Sequence, residues 1–225
     1  MKLTLKEQGD ILKYFPKLEL SYEKRLHKKV HSDLCLTIPK GKKYFAWFKT
    51  YKRNNCCFLL EVDKRHNTIE KITINICSFD KILCSGSGTV LYGTIFNIGK
   101  KKFFNIENVY YSKGNNLIYT NQFIKLKEMY NIMHNYLKQV TYLKNSVNFG
   151  LPIIEKNKYE LEKKLTEIPY TIYCIQHRLL YKNKPFLNEF ITINQRIYKT
   201  FLVKPTIIDD IYELFYKNGE KIEKY

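Results

Sequence analysis

The sequence predicts an α+β fold in which a central, largely antiparallel sheet is flanked by helices. Between residues 43 and 111, β-prone runs alternate with short polar segments, and connections that short join neighbouring strands as antiparallel hairpins. Before and after this stretch, apolar residues recur at the spacing of amphipathic helices. Strands and helices are therefore segregated along the chain, which favours the α+β class.

The predicted helices lie at both ends of this strand-rich stretch. Residues 3–15 and 19–30 each read as a short amphipathic helix, and Pro16 separates them. Residues 121–143 carry apolar side chains at helical spacing with lysines between them, which predicts one long helix. Residues 156–165 predict a further short helix.

The predicted strands are runs of apolar and aromatic residues bounded by polar turns. No internal repeat and no Gly/Ser/Pro-rich linker divides the chain, so we expect a single globular unit. Residues 207–216 form a last apolar run with an acidic pair. The strands are expected at residues 43–48, 56–62, 69–76, 88–98, 102–111, 170–180 and 197–203.

Composition indicates a soluble protein that stays inside a cell. Of the 225 residues, 44% are hydrophobic, which is enough for a packed core. No stretch approaches the about 18 uninterrupted apolar residues of a membrane-spanning helix, and the N-terminal residues lack the apolar run of a secretory signal. We therefore expect no membrane partner and a cytoplasmic location, in the host cytoplasm or a virion if the protein is viral.

Charge points to a polyanionic partner. The chain has 39 basic and 21 acidic residues, a net charge of +18, and phosphate groups of nucleic acid are a common partner for such an excess. Codon drift in an A/T-rich genome, such as that of a large DNA virus or a parasite, is an alternative source of the lysines. Aromatic residues make up 15% of the chain, with 19 tyrosines, and lysines interleaved with exposed aromatics favour single-stranded RNA.

The cysteines do not indicate a metal site. They form no C-x-x-C pair, and the adjacent Cys56 and Cys57 would point to opposite faces of a strand. We interpret them as small buried residues in a reducing compartment. No metal or cofactor is predicted.

Short motifs, taken in order, resemble a known family. Residues 39–43 (Pro-Lys-Gly-Lys-Lys), 88–96 and 103–114 occur in the order and spacing found in the nucleotidyltransferase domain of mRNA capping enzymes and nucleic acid ligases. They resemble even more the catalytically inactive, cap-binding domain of snurportin. Residues 201–205 are similar to the Lys-x-Lys-Pro strand of capping enzymes. The resemblance implies an N-terminal helical segment at 1–33 and a nucleotidyltransferase-like domain at 34–225.

The departures from the family imply a domain that binds without catalysing. The position of the family's nucleophilic lysine falls on Ile38, and the aspartate of the same motif falls on Lys40. The acidic strand positions fall on Tyr92 and Thr94, and one lysine of the last motif becomes Leu202. An isoleucine cannot form the covalent lysine–nucleotide bond, so no catalytic residue is predicted.

The remaining cleft is expected to hold a guanine nucleotide or an RNA 5′ end. An aromatic face attracts a positively charged base, and lysines contact phosphates. Core packing is the alternative for Trp47 and for Tyr92, and a solvated strand end is the alternative for Lys42 and Lys43. The predicted cap-binding residues are Trp47, Tyr92 and Lys204, and the predicted phosphate-binding residues are Lys40, Lys42 and Lys43.

Three functions are therefore open from the sequence. The first is a non-catalytic RNA-binding protein that recognises an mRNA cap or RNA 5′ end, with a possible protein partner in a viral or mRNA-processing complex. The second is an active mRNA guanylyltransferase or RNA ligase whose motifs are displaced. The third is a basic structural or virion protein that contacts nucleic acid non-specifically.

Overall fold

The computed structural model describes residues 3–18, 23–26, 31–63, 68–139, 146–182, 184–191, 202–206 and 212–215. Its contacts divide the chain into two compact units, Met1–Ile191 and Thr192–Tyr225. None of the helices in the described ranges combines the length and the apolar character that crossing a lipid bilayer requires.

The molecule is mostly β, so the predicted α+β class is wrong. Strands account for 49% and helices for 21% of the structure, and the main sheet is a curled, antiparallel half-barrel rather than a sheet with flanking helices. Less of the chain is helical than predicted, for two reasons. Residues 23–25, inside the predicted second helix, form a strand, and the predicted helix over 121–143 ends near its middle.

The first unit contains every described helix and most of the strands. The helices are α1 (Leu5–Tyr14), α2 (Gln122–Asn131) and α3 (Lys158–Leu165). The strands are β1 (Glu23–Arg25), β2 (Leu34–Pro39), β3 (Lys42–Tyr51), β4 (Asn54–Asp63), β5 (Thr68–Asn75), β6 (Ser78–Phe79), β7 (Thr89–Ile98), β8 (Lys101–Ser112), β9 (Asn115–Asn116), β10 (Leu137–Lys138), β11 (Val147–Gly150), β12 (Ile154–Glu155), β13 (Ile172–Arg178) and β14 (Phe186–Phe190).

In the second unit, β15 (Leu202–Pro205) and β16 (Tyr212–Phe215) pair as an antiparallel ladder. The predicted strand at 197–203 falls mostly outside the described residues, and β15 overlaps its end.

The large sheet of the first unit has seven strands, in the order β11-β8-β7-β3-β4-β5, with β9 paired to β8. The strands predicted between residues 43 and 111 are all present, and their short connections give antiparallel hairpins as expected. β11 is parallel to β8. Irregular register at Val90/Leu91 and Tyr92/Gly93 in β7 increases the local twist, which curls the sheet.

Each face of the large sheet is covered by its own apolar cluster. On one face, Met129 of α2 and the adjoining Ile132 pack against Phe48, Leu91 and Phe104. On the other face, Leu3 and Ile11 from the N-terminal segment pack with side chains that include Phe45, Trp47, Phe58, Tyr92 and Tyr110. The alternation of side chains along each strand separates the two clusters.

A second sheet in the same unit has the strand order β1-β14-β13-β2-β12. One of its faces buries Leu34, Leu36, Ile38 and Cys174. On the opposite face, Cys35 and Ile175 contact Leu161 of α3. This second face, which α3 covers in part, carries the polar cluster described below.

The long predicted helix ends early because tertiary pairing overrides its apolar spacing. After Asn131 the chain makes a π-helical turn at Ile132–Tyr136 and then enters β10, which pairs with β6. The backbone carbonyl of Tyr136 accepts a hydrogen bond from the N–H of Asp80 at 2.8 Å, which fixes this exit. Part of the predicted helix, residues 140–145, lies outside the described residues.

Candidate functional site

The two aromatic side chains predicted to bind a cap are buried in the core. Trp47 is 1% exposed, and its indole N–H donates to the backbone carbonyl of Ser87 at 3.0 Å. The ring of Phe15 lies edge-on against it, with centroids 5.2 Å apart. Tyr92 is 6% exposed, and its ring packs against Phe45. Neither side chain presents a ring face on which a nucleotide base could stack, because apolar neighbours cover both.

Ile38 and Tyr92, which the resemblance placed around one cleft, pack into different apolar clusters. Ile38 faces the cluster of the second sheet, and Tyr92 faces the cluster beneath α1. The side chain of Leu202 lies outside the described side chains. Thr94 is buried and donates a hydrogen bond to the carboxylate of Glu107. The supposed nucleotide positions therefore serve the core of the first unit.

The three lysines predicted to bind phosphate do lie around one hollow, but carboxylates face them. This lysine-turn hollow has a volume of about 580 Å³ and is lined by Lys40, Lys42 and Lys43 together with Glu61, Asp63 and Glu70. Lys42 pairs with Glu61, and this hydrogen bond raises the pKa of Lys42 above 10.5. The three acids offset the charges of Lys40 and Lys42, which leaves a weak field for a polyanion.

Lys43 points the other way from its neighbours and is used inside the protein. It is buried, its ammonium group pairs with the carboxylate of Glu107, and its Nζ lies 5.6 Å from the ring centre of Tyr92. Lys40 is exposed at the turn that precedes β3. Lys204, the last predicted residue, is exposed on β15 of the second unit, where its register partner is Glu213.

A more basic hollow lies at the other end of β13, in a region that no sequence motif marks. This basic hollow has a volume of about 470 Å³, and Lys24, Lys182 and Lys184 line it with exposed side chains. His31 and His177 also contribute to its wall, and none of the described residues that line it is acidic. The charge of its wall is therefore positive.

Arg178 lines the basic hollow as well, but its guanidinium group is used within the fold. It is buried, and it donates to the backbone carbonyl of Glu107 at 2.8 Å and to the side chain of Gln122 at 3.1 Å. Burial lowers its pKa to about 10, and its guanidinium carbon lies 4.0 Å from the ring centre of Phe186. Arg178 thus ties the end of β13 to β8 and α2.

Two exposed aromatic rings adjoin the basic hollow. Tyr181, which is 67% exposed, occupies the same loop as Lys182 and Lys184. Its ring lies against that of Phe123 at the start of α2, with centroids 5.7 Å apart and planes inclined by 30°. Phe123 is 48% exposed, and its backbone N–H donates to the carbonyl of Leu180 at 3.1 Å, so the loop and the helix are held together.

A polar row crosses three adjacent strands on the face of the second sheet that α3 covers. Cys35 of β2 is the register partner of His177 of β13, and its Sγ lies 3.3 Å from His177 Nδ1. Ser32, just before β2, places its Oγ 3.1 Å from the same nitrogen. On the other side of the ring, His177 Nε2 lies 3.0 Å from Glu189 Oε2 of β14.

The charges of this row are set by its hydrogen bonds. Burial acts to raise the pKa of Glu189, but hydrogen bonds from Lys158 and His177 outweigh it and lower the pKa below 4.5. The pKa of His177 is raised above 6.5 by its hydrogen bond to Cys35 and, despite burial, by its bond to Glu189. Glu189 is therefore an ionised acceptor at neutral pH.

The members of this row are far apart in the chain, so no local motif could reveal them. Cys35 and His177 are separated by 142 residues, and only strand pairing brings them together. The absence of a Cys-His motif in the sequence therefore says nothing about proximity in the fold. None of the described cysteines forms a disulfide bond, and Cys35, Cys57, Cys84 and Cys174 are buried.

A metal centre is not evident in the described ranges, because no group of three or more His, Cys, Asp or Glu side chains converges there. A scan of protein-family models finds no match to this chain, and a search of curated proteins finds no match either. The resemblance to capping enzymes and snurportin thus receives no support from these comparisons.

Proposed function

We propose that the protein binds single-stranded RNA, without modifying it, through the basic hollow and the adjoining rings of Tyr181 and Phe123. The observation that carries this proposal is the combination of exposed lysines with exposed aromatic faces in one loop of a chain with a net charge of +18. Lysines contact phosphates, and flat rings accept unstacked bases.

The geometry supports an unpaired strand better than a duplex. A base that stacks on Tyr181 has to be splayed out, which is possible in single-stranded RNA and costly in a helix. The loop is also held in place, because the backbone N–H of Leu180 donates to Asp33 at 2.8 Å and the carbonyl of Leu180 accepts from Phe123. The aromatic platform is therefore formed before the ligand arrives, which limits the entropic cost of binding.

We expect the removal of two loop lysines to weaken RNA binding and its salt dependence together. Lys182→Ala/Lys184→Ala should reduce the affinity for a labelled RNA of about 12 nucleotides, measured by fluorescence anisotropy across a range of salt concentrations. The slope of log affinity against log salt should fall by about 1.4, or about 0.7 for each phosphate that is no longer neutralised. Lys100→Ala/Lys101→Ala, where the β7–β8 turn enters β8, removes the same charge elsewhere and should leave the slope nearly unchanged.

Equal losses of RNA affinity in both double variants would contradict the assignment of the basic hollow as the binding surface, because the net charge alone would then explain binding. That outcome would favour a basic structural protein that contacts nucleic acid non-specifically.

We expect the ring of Tyr181 to contribute to RNA affinity independently of the lysine charges. Tyr181→Ala should weaken single-stranded RNA binding by about 5- to 160-fold, since stacking is worth about 1–3 kcal/mol per base. Tyr14→Ala is the matched control, because Tyr14 of α1 is 77% exposed and lies outside the proposed surface. If the two tyrosine variants bind alike, Tyr181 does not stack on RNA.

Recognition of a capped 5′ end is a finer proposal, which the same assay tests with capped and uncapped RNA of one sequence. A preference for the capped RNA that disappears in Tyr181→Ala would support cap recognition at this surface. Equal affinity for both RNAs would limit the function to general RNA binding.

A further inference from the structure

The polar row on the second sheet has a geometry that RNA binding does not require. Two hydrogen bonds, of 3.1 and 3.0 Å, link Ser32 to His177 and His177 to Glu189. A nucleophile beside a base, with the base held by a third group, is the arrangement that activates a serine or cysteine. We propose that Ser32, His177 and Glu189 form a nucleophilic site for acyl transfer, in which the Ser32 hydroxyl attacks the carbonyl carbon of an ester.

The tautomer of His177 follows from the protonation state of Glu189. One oxygen of Glu189 accepts from the ammonium group of Lys158, and the other faces His177 Nε2. An ionised carboxylate only accepts hydrogen bonds, so Nε2 of neutral His177 carries the hydrogen. The lone pair then lies on Nδ1, the nitrogen that faces the Ser32 hydroxyl, and His177 can take the hydroxyl proton.

Ser32 rather than Cys35 is the nucleophile because Ser32 is the more accessible of the two, although both lie in the wall of a neighbouring hollow. Cys35 is 2% exposed, whereas Ser32 is partly exposed and lines both the basic hollow and a neighbouring one. The two side chains are close, with Oγ and Sγ 3.8 Å apart, so they compete for the same nitrogen. Burial keeps the thiol from approaching a substrate.

The neighbouring hollow has room and charge for a small acyl substrate. This histidine hollow has a volume of about 670 Å³, and Ser32, His177 and Glu189 lie in its wall. Lys156 and the N-terminal end of α3 at Asn157 and Lys158 form another part of the wall. An ammonium group and a helix N-terminus both favour the negative charge that develops on the carbonyl oxygen in the tetrahedral intermediate.

The reaction balances with water as the second substrate. Ser32 Oγ forms a bond to the carbonyl carbon while its proton moves to His177 Nδ1. The C–O bond to the leaving group breaks, and the alcohol departs with that proton, leaving an acyl-serine ester. Water then attacks the acyl carbon, gives a proton to Nδ1, and releases the carboxylic acid as the Ser32 hydroxyl is restored.

Labelling the full-length protein tests the nucleophile. A fluorophosphonate probe should modify Ser32, as shown by peptide mass spectrometry, and Ser32→Ala should lose the label. Ser87→Ala, at an exposed serine outside the site, should label like the wild-type protein. A label on Cys35, or unchanged labelling of Ser32→Ala, would overturn the proposal.

Hydrolysis of p-nitrophenyl acetate tests the roles of His177 and Glu189. His177→Ala should lower the rate of p-nitrophenolate release by about 100-fold or more, the usual contribution of a general base. Glu189→Gln keeps the shape of the side chain but can donate to Nε2, which favours the wrong tautomer. It should therefore lower kcat with little change in KM, and Tm should fall only slightly because the variant also loses the partly exposed ion pair with Lys158. Equal kcat in Glu189→Gln and wild type would show that Glu189 does not position the base.

Discussion

Lys43 and Glu107 form an ion pair inside the first unit, where neither charge can be hydrated. Both residues are buried, and Glu107 also accepts hydrogen bonds from Thr94 and Asn105. In the sequence, Lys43 stands beside Lys40 and Lys42 and looks like one of three equivalent phosphate contacts. The strand alternation of β3 turns Lys42 outward and Lys43 inward, so neighbouring lysines have unrelated roles.

We expect the removal of Glu107 to lower stability much more than the removal of one member of an exposed ion pair. Glu107→Ala should lower the free energy of unfolding by about 3–5 kcal/mol, because it strands a buried ammonium group. Lys43→Met/Glu107→Leu should recover most of that loss. Urea unfolding measures both, with Lys42→Ala as the control, whose exposed ion pair should be worth about 0–1 kcal/mol. If Glu107→Ala loses no more stability than Lys42→Ala, the pair is not desolvated.

The β3–β4 hairpin is the element whose turn departs most from sequence preference. Its two turn residues, Lys52 and Arg53, have φ values of +47° and +66°. Two-residue hairpin turns of this kind strongly prefer Asn-Gly, because a side chain at positive φ is strained. Lys52 gains an ion pair with Glu7 of α1 at 2.8 Å, whereas Arg53 has no described pairing that offsets its strain.

Arg53→Gly should therefore stabilise the protein by about 1 kcal/mol, since glycine adopts positive φ without strain. Thermal or urea unfolding measures the change. Lys100→Gly, in the β7–β8 turn, is the control: Lys100 is not at positive φ, so glycine there should be neutral or destabilising. Equal effects of both glycines would show that the turn at Arg53 is unstrained.

At the level of elements, the sequence predicted the hairpins of the large sheet and missed what depends on distant pairing. Apolar runs with short polar turns fix β3, β4, β5, β7 and β8 locally. The predicted helix at β1 is wrong. Glu, Lys and Leu in this segment have helical spacing, but β1 is a strand because it pairs in parallel with β14. The candidate sites follow the same rule. The exposure of Tyr181 depends on how its loop packs, so the sequence could not predict it. The row around His177 forms only when three distant strands pair in register.

On the scale of the whole molecule, the net charge of +18 is the excess of 39 basic over 21 acidic side chains. Acidic side chains are drawn into ion pairs with Lys42, Lys43, Lys113, Lys158 and Lys164, which leaves other lysines facing solvent. The excess positive charge should repel itself, and salt should screen that repulsion.

We therefore expect Tm to rise by several degrees as NaCl increases from about 20 to about 200 mM, over which the screening length falls by about threefold. Single-stranded RNA at low salt should raise Tm further, because a ligand that binds only the folded state stabilises it. Differential scanning fluorimetry measures both. A fall in Tm with added salt would mean that attractive ion pairs outweigh the repulsion.

The contact between α1 and β5 has a consequence for self-association. β5 ends the strand order of the large sheet, and the side-chain oxygen of Gln8 accepts the backbone N–H of Ile72 at 3.1 Å. The unpaired backbone N–H groups of an edge strand can form hydrogen bonds with a strand of another polypeptide chain. Here a helix from the same chain occupies one of them, and Glu70 and Lys71 place charge beside it. We therefore expect the N-terminal segment to hinder edge-to-edge pairing of β5 with a strand of another copy.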